Sequence, residues 1–580
     1  MKKYSVRLRR GVLVAAMISV MGWIPARSQS QSEVPAPTIR VSTHLVLVDV
    51  VVTDRQGKPI TGLKPEDFTV QEKGKNQKIA FFSTPEDMQK VASPPELGPG
   101  IYSNKPEFRF TGKPVTILLL DAVNTAFRDQ AYARQQMLKY VREQMKPGER
   151  MGVFALTDSL RALQDFTSDP QVLMTALEHY KPEEQKLGPA AARQVSTVVG
   201  STDYSPGLTS QLEFAQSEIT SFQSAQVSFQ FDRQFEITLG AMRGLSRILA
   251  GIPGRKNVVW LTATFPFELI PEDRNVSGAE LLASLPNIQQ KGVGTIAAGS
   301  LAASQRSSHA DEIRVVSSQL AASQIAIYPV DVRGLISGME FLSSDSANRQ
   351  VSNTSEIAVA RATDTSASHD TMRAIANETG GRAYVNQNDV RQGVALAVAD
   401  NSSSYTIGYY PDDKKMDGKY RQIKVKVNKD AVEVRHRQGY FAIDPTQVKD
   451  KKADLQVAEA LRDMVPDTQV IFSAQVKKSD KGTGIDMLID PRTVSAADAS
   501  GGKKLNLAVY AAVYSHDGKM IQSASQKVDQ TFKDDIYQQI LQKGILLHLD
   551  VDKTPANDDL RIAVQDVRTG LVGTLTAKTP

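Results

Sequence analysis

Short apolar runs and longer amphipathic stretches alternate through the middle of the chain. The runs 115–120, 151–156, 258–262, 325–330 and 381–384 predict strands. The stretches 127–145, 169–180, 236–250, 312–323, 370–378 and 390–399 predict helices, with apolar residues recurring at helical spacing. Strand and helix in alternation predict a doubly wound, mostly parallel sheet covered on both faces. Gly148, Gly254 and the pair Gly380 and Gly381 stand where a helix must end and turn into the next strand. Two stretches break the order. Residues 182–232 are rich in Gln, Ser, Ala and Thr; the part Leu212–Phe231 reads either as a long helix or, with the rest, as a mobile surface insertion. Residues 266–309 mix Gly, Ser and Ala, and read either as a cap over the ligand edge or as a surface excursion.

The period changes on either side of this region. Residues 45–52, 68–70 and 79–82 read as strands, with turns at 54–57 and 74–76. A segment this short makes a poor core by itself. Residues 405–410, 421–427, 432–434 and 439–441 read as a second incomplete set. The expectation is that 38–88 pairs with 401–442 in one β unit, with the α/β domain 113–400 inserted between them. Residues 94–113 are rich in Pro and Gly and read as a linker. After a charged linker at 449–452, the runs 470–476, 505–514, 545–549 and 560–567 predict a C-terminal β-sandwich-like domain over 453–580, of the immunoglobulin-like kind. The fold class expected is therefore multidomain α/β plus β.

The first 28 residues stand apart. A basic start (Lys2, Lys3, Arg7, Arg9, Arg10) precedes an apolar run from Gly11 to Ile24 and a small-x-small site at Ala26 to Ser28. This pattern predicts a secretory signal peptide and a secreted or periplasmic mature chain. It also changes the charge. Residues 1–28 hold six of the 69 basic residues and none of the 64 acidic ones, which leaves 63 against 64 and a formal net charge of −1. The basic balance thus belongs to the export segment, and no nucleic-acid partner is expected. The mature chain has no apolar run long enough to predict a transmembrane segment. With no cysteine anywhere, disulfides, thiolate metal sites and cysteine catalysis are excluded.

Candidate chemistry centres on the end of the 115–120 run, where Asp121-Ala-Val-Asn-Thr125 begins a loop. Open α/β sheets place ligands at the carboxyl ends of their strands. Asp121 offers a carboxylate, Asn124 an amide oxygen and Thr125 a hydroxyl, a set suited to Mg2+ or another divalent cation. Alternatively Asp121 and Thr125 cap the helix that follows. Asp158 and Asp331 follow neighbouring strands, and Asp331 with Arg333 reads either as a further oxygen source or as an ion pair bracing its loop. Seven histidines are scattered without a ligand spacing, and neither a Gly-x-Ser-x-Gly elbow nor a phosphate loop is present, so no catalytic residue and no organic cofactor is expected.

Several strings together carry a family resemblance: Gly62-Leu-Lys-Pro-Glu-Asp-Phe68, residues 115–125, Arg255-Lys-Asn-Val-Val-Trp-Leu261, Ile325-Ala-Ile-Tyr-Pro-Val-Asp-Val-Arg-Gly334, Glu378-Thr-Gly-Gly-Arg382 and residues 405–410. Over roughly residues 40–442 the chain resembles the von Willebrand factor type A domain family, and more narrowly the secreted type A-related proteins common in acidobacteria. That resemblance implies a Rossmann-like sheet and an adhesion site built from an Asp-x-Ser-x-Ser loop, a distant Thr and a later Asp around a metal ion. Carried over, Asp121 matches the first Asp and Thr125 serves for the last Ser. Val123 replaces the first Ser. Ala263 stands where the later Asp belongs, beside Thr262 and Thr264, and Thr238 is a candidate for the distant Thr. The site implied is degenerate, with Asp121, Thr125, Asn124 and Asp158 as candidate metal ligands. Asp121, Asn124, Thr125, Thr262, Asp331 and Arg333 would form the partner-binding edge. The function expected is an exported, non-enzymatic protein-binding or adhesion module. The alternative is a metal-independent periplasmic scaffold for an envelope complex. Either way, the partner is a protein or an envelope or extracellular component.

Overall fold

The computed structural model describes residues 45–88, 96–109, 114–182, 229, 232–266, 310–334, 354–444, 446, 453–463, 465–480, 482–552 and 554–580. The expected signal peptide and nearly all of both insertions lie outside the described residues.

The fold is mixed α/β, with one mixed sheet and several antiparallel ones. The mixed sheet has the order Ile325–Asp331, Lys256–Thr262, Val115–Asp121, Arg150–Leu156, Leu160–Thr167. Its first four strands run parallel and the last is antiparallel. Every residue of the first three strands is buried, which is why they read as continuous apolar runs rather than alternating ones. Alternate residues face opposite layers. Ile117, Leu119, Val258 and Trp260 join an apolar cluster with helix 232–249 and helix Ala310–Ala322. Leu118, Leu120, Val259 and Leu261 join another with helices Phe127–Glu143, Pro170–His179 and Val390–Ser402.

One expected strand changes here, and one unexpected strand joins the sheet. Residues 381–384 form only a single parallel bridge, Tyr384 to Val330. Gly381 lies so close to the Ile327 carbonyl that a Cβ would sit 2.0 Å from its oxygen. Leu160–Thr167, which pairs antiparallel on the sheet edge, carries Arg161, Gln164 and Asp165 and shows no strand alternation in sequence.

Val46–Asp54 pairs antiparallel with Ser404–Tyr409 on one side and Val432–Arg435 on the other. This sheet packs on a second, in which Phe68–Glu72 pairs with Tyr420–Val427. The core between them holds Val48, Val50, Phe68, Val70, Tyr405, Ile407, Ile423 and Val425. The opposite face of the first sheet meets the α/β layers, where Asp49 accepts from Gln324 Nε2 at 2.9 Å and Thr406 Oγ1 at 2.7 Å.

The C-terminal residues form two further sheets enclosing a core that includes Phe472, Ile485, Met487, Leu507, Val509, Ile562 and Val564. Part of the expected linker belongs to this body. Ile101–Ser103 adds an edge strand beside Phe472–Ser479. Asn104, fully buried, donates to the carbonyls of Asp467 and Val470 and accepts from Phe472 N at 2.8 Å. A Pro/Gly count does not reveal that a segment closes another segment's sheet edge. Among the described residues, no helix is long and apolar enough to cross a membrane.

Candidate functional site

Parallel register sets Asp331 opposite Thr262 and Asp121 opposite Leu156, so the carboxyl ends of these strands share one edge. Asp121 is the last residue of its strand and only 2% exposed. Five donors lie within hydrogen-bond distance of its carboxylate. Oδ1 takes the backbone N–H groups of Val123 and Asn124, both at 2.9 Å. Oδ2 takes Asn124 Nδ2, Trp260 Nε1 and Thr262 Oγ1, each at 2.9 Å. Burial pushes the Asp121 carboxyl above the ordinary carboxylate range, and the hydrogen bonds from Asn124, Trp260 and Thr262 pull against that rise.

The neighbouring polar groups are tied in as well. Asn124 Nδ2 also donates to the fully buried Thr238 Oγ1 at 3.0 Å. Thr125 Oγ1 accepts from Ala263 N at 3.1 Å, so it joins the ends of two strands. Thr262 has one hydroxyl proton and two acceptors in reach, Asp121 Oδ2 and the Thr264 carbonyl at 2.8 Å. Neither Asp121 nor Thr125 caps the next helix. Its N-cap is Ala126, without a side-chain cap, and Gln130 Nε2 instead reaches back to the Thr125 carbonyl at 2.8 Å.

These residues do not fit a divalent cation. A magnesium ion needs oxygen lone pairs at about 2.1 Å. Both Asp121 oxygens are already taken, and the indole N–H of Trp260 aims a positive dipole where a cation would sit. Val123 is buried and apolar, and Ala263 has no ligating atom. Asn124 Oδ1 is a buried acceptor without a partner, a single oxygen rather than a coordination set. Among the described residues, no group of three or more His, Asp or Glu side chains is arranged to hold a metal.

The other candidates fall into separate arrangements. Asp158 is exposed and pairs with Arg161 at 2.5 Å. Partial burial pushes its carboxyl up, but the hydrogen bonds from Arg161 and Thr157 outweigh that and hold it below the ordinary range. Asp331 is buried and gripped bidentately by Arg333, with Nε to Oδ1 and Nη2 to Oδ2 both at 2.9 Å. His369 Nε2 lies 2.6 Å from Asp331 Oδ2.

Trp260 and His369 are the residues sequence reasoning missed. Trp260 sits two residues before Thr262 and so shares its face of the strand. That periodicity is the signal that could have found it, once Lys256–Thr262 is known to lie beside Val115–Asp121. His369 lies in Thr354–Thr379, upstream of the 370–378 stretch where helical periodicity is legible.

No protein-family model matches the chain, and no curated protein does. Among solved structures, the chain is similar to an aerotolerance-related membrane protein from Bacteroides fragilis, at 13% identity over 50% of this chain and 98% of that one, with a TM-score of 0.22. It is similar to the conserved hypothetical protein BatB from Bacteroides thetaiotaomicron, at 11% identity over 50% and 98%, with a TM-score of 0.20. It is also similar to the pilus adhesin SpaC from Lactobacillus rhamnosus GG, at 9% identity over 90% and 58%, with a TM-score of 0.22. Likenesses at these identities and scores carry no assignment of function.

Proposed function

We propose that the chain is an exported, non-enzymatic binding module that engages a protein or other envelope component through the carboxyl edge of a type A-like, doubly wound domain, without a bridging metal. One observation carries this reading. Asp121, the residue on which a metal bridge would depend, is saturated by five donors and serves as an internal tie between two strand ends and a loop. The same saturation disfavours Asp121 as a nucleophile, since both oxygens are committed and the group is 2% exposed. The edge is then a rigid surface, braced by the Asp331–Arg333 pair.

The test is retention of envelope components by the mature chain, in magnesium and in chelator, with Thr264→Lys as the edge variant. Thr264 is partly exposed on that edge. Equal retention in both media, abolished by T264K in a folded protein, is the expected result. Retention that disappears in chelator and returns with magnesium would restore the metal bridge and overturn the proposal.

A further inference from the structure

The α/β layers and the C-terminal sandwich meet at an ionic joint. Helix 232–249 presents Arg247 near its end. Arg247 Nε donates to Asp467 Oδ2 at 3.1 Å, and Nη2 lies 3.6 Å from Asp463 Oδ2. Neutral bonds surround the pair. Thr468 N donates to the Arg247 carbonyl at 2.9 Å, Thr468 Oγ1 to the Ile248 carbonyl at 2.9 Å, and Gly251 N to Thr468 Oγ1 at 2.8 Å. A Cβ on Gly251 would stand 2.8 Å from Thr468 Cβ, so the segments approach as closely as glycine permits. Val465 adds an apolar contact by entering the cluster beneath the mixed sheet.

The charges at this joint do not balance. Glu459, from helix Ala453–Ala460, acts on the same groups, so three carboxylates face Arg247. Arg561, from strand Asp559–Asp566, is the other cation acting on Asp463, but its Nη1 is committed to the carbonyls of Leu461 and Arg462. Asp467 is fully buried, and its Oδ1 has no hydrogen-bond partner. A second ionised carboxylate beside an unsatisfied buried one is costly, and a bound proton relieves both the repulsion and the desolvation.

We propose that Asp463 and Asp467 hold a shared proton against Arg247, making this joint a pH-operated clasp between the α/β layers and the C-terminal sandwich, closed in mildly acidic medium and loosened in alkaline medium. The direction of titration supports it. Burial, followed by the charge of Asp467, pushes the Asp463 carboxyl up to about 7. Burial, opposed by Arg247, pushes Asp467 up to about 6. Both values lie above the ordinary 3.8. The folded joint therefore binds more protons than the unfolded chain between these limits, and its stability is present at low pH and lost as pH rises through 6 to 7.

The amides of Gly251 and Thr468 report on the joint directly, because their hydrogen bonds span it. In the full mature chain, their exchange protection, corrected for intrinsic rates, should fall at least about tenfold between about pH 5.5 and about pH 8. Asp463→Asn, which mimics the protonated group, should shrink the fall to the smaller part that Asp467 alone sets as pH rises through about 6. Arg247→Met should move the loss to a different pH, since it removes the cation that favours ionisation. A pH dependence unchanged in both variants, or protection that rises with pH in the wild type, would overturn the proposal.

Discussion

Removing the Asp121 carboxylate separates a structural tie from a metal ligand. In Asp121→Ala, Asn124 Nδ2 keeps Thr238 Oγ1 and the Thr262 hydroxyl keeps the Thr264 carbonyl. The backbone N–H groups of Val123 and Asn124 and the indole N–H of Trp260 lose the acceptor they have in the intact site. Each orphaned buried donor costs about 1–3 kcal/mol, so the three together cost roughly 3–9 kcal/mol. Relief from burying the carboxylate returns part of this, and a net loss of about 3–5 kcal/mol is expected. Asp121→Asn should also destabilise, because either orientation of its amide turns an NH2 toward existing donors. In a chain lacking residues 1–28, Trp260 is the only tryptophan, so denaturant unfolding followed by its fluorescence reads the site itself. The loss should be the same in magnesium and in chelator. An alanine variant within about 1 kcal/mol of wild type, or a wild-type stability that depends on magnesium while the variant's does not, would refute the reasoning.

Other outcomes follow from two further buried polar side chains, Lys256 and Asn104. Burial lowers the Lys256 ammonium from 10.5 to about 7, opposed by Asp49. Its penalty is therefore full below pH 7 and fades as pH rises toward 10.5. Lys256→Met removes at most about 5 kcal/mol of that penalty and forfeits about 1–3 kcal/mol in the bond to the Ile252 carbonyl. It should stabilise the protein by roughly 2 kcal/mol at neutral pH, with the gap narrowing in alkaline urea titrations; a pH-independent loss of stability would contradict this. Asn104→Ala strips three hydrogen bonds from the edge of the C-terminal sandwich and should cost about 2–4 kcal/mol. Faster amide exchange at Phe472 would locate the loss, and an unchanged Phe472 amide would argue against it.

The buried parallel strands were legible because burial on both faces leaves an uninterrupted apolar run ending at Asp121. Strands exposed on both faces were not. Met520–Phe532 is mostly exposed and polar, and nothing in its pattern marks it as the partner of Gly502–Tyr514. Helix Thr354–Thr379 begins well before the 370–378 stretch; in its first part Ile357 and Val359 are the large apolar residues among Thr, Ser and Ala, too few to mark a stripe. The weakness of the metal loop was visible in Val123 and Ala263. The donors that fill Asp121 were not, because Trp260 and Thr262 lie some 140 residues away and reach it only through the pairing of Lys256–Thr262 beside Val115–Asp121.

The central claim is that Asp121 is an internal tie and the edge works without a cation. A crystal structure of the chain grown with manganese, with anomalous data, tests it most directly. The account predicts Trp260 Nε1 and Thr262 Oγ1 at hydrogen-bond distance from Asp121 Oδ2 and no anomalous peak at the loop. A manganese ion on Asp121 at about 2.1–2.2 Å, with Trp260 turned away, would contradict it.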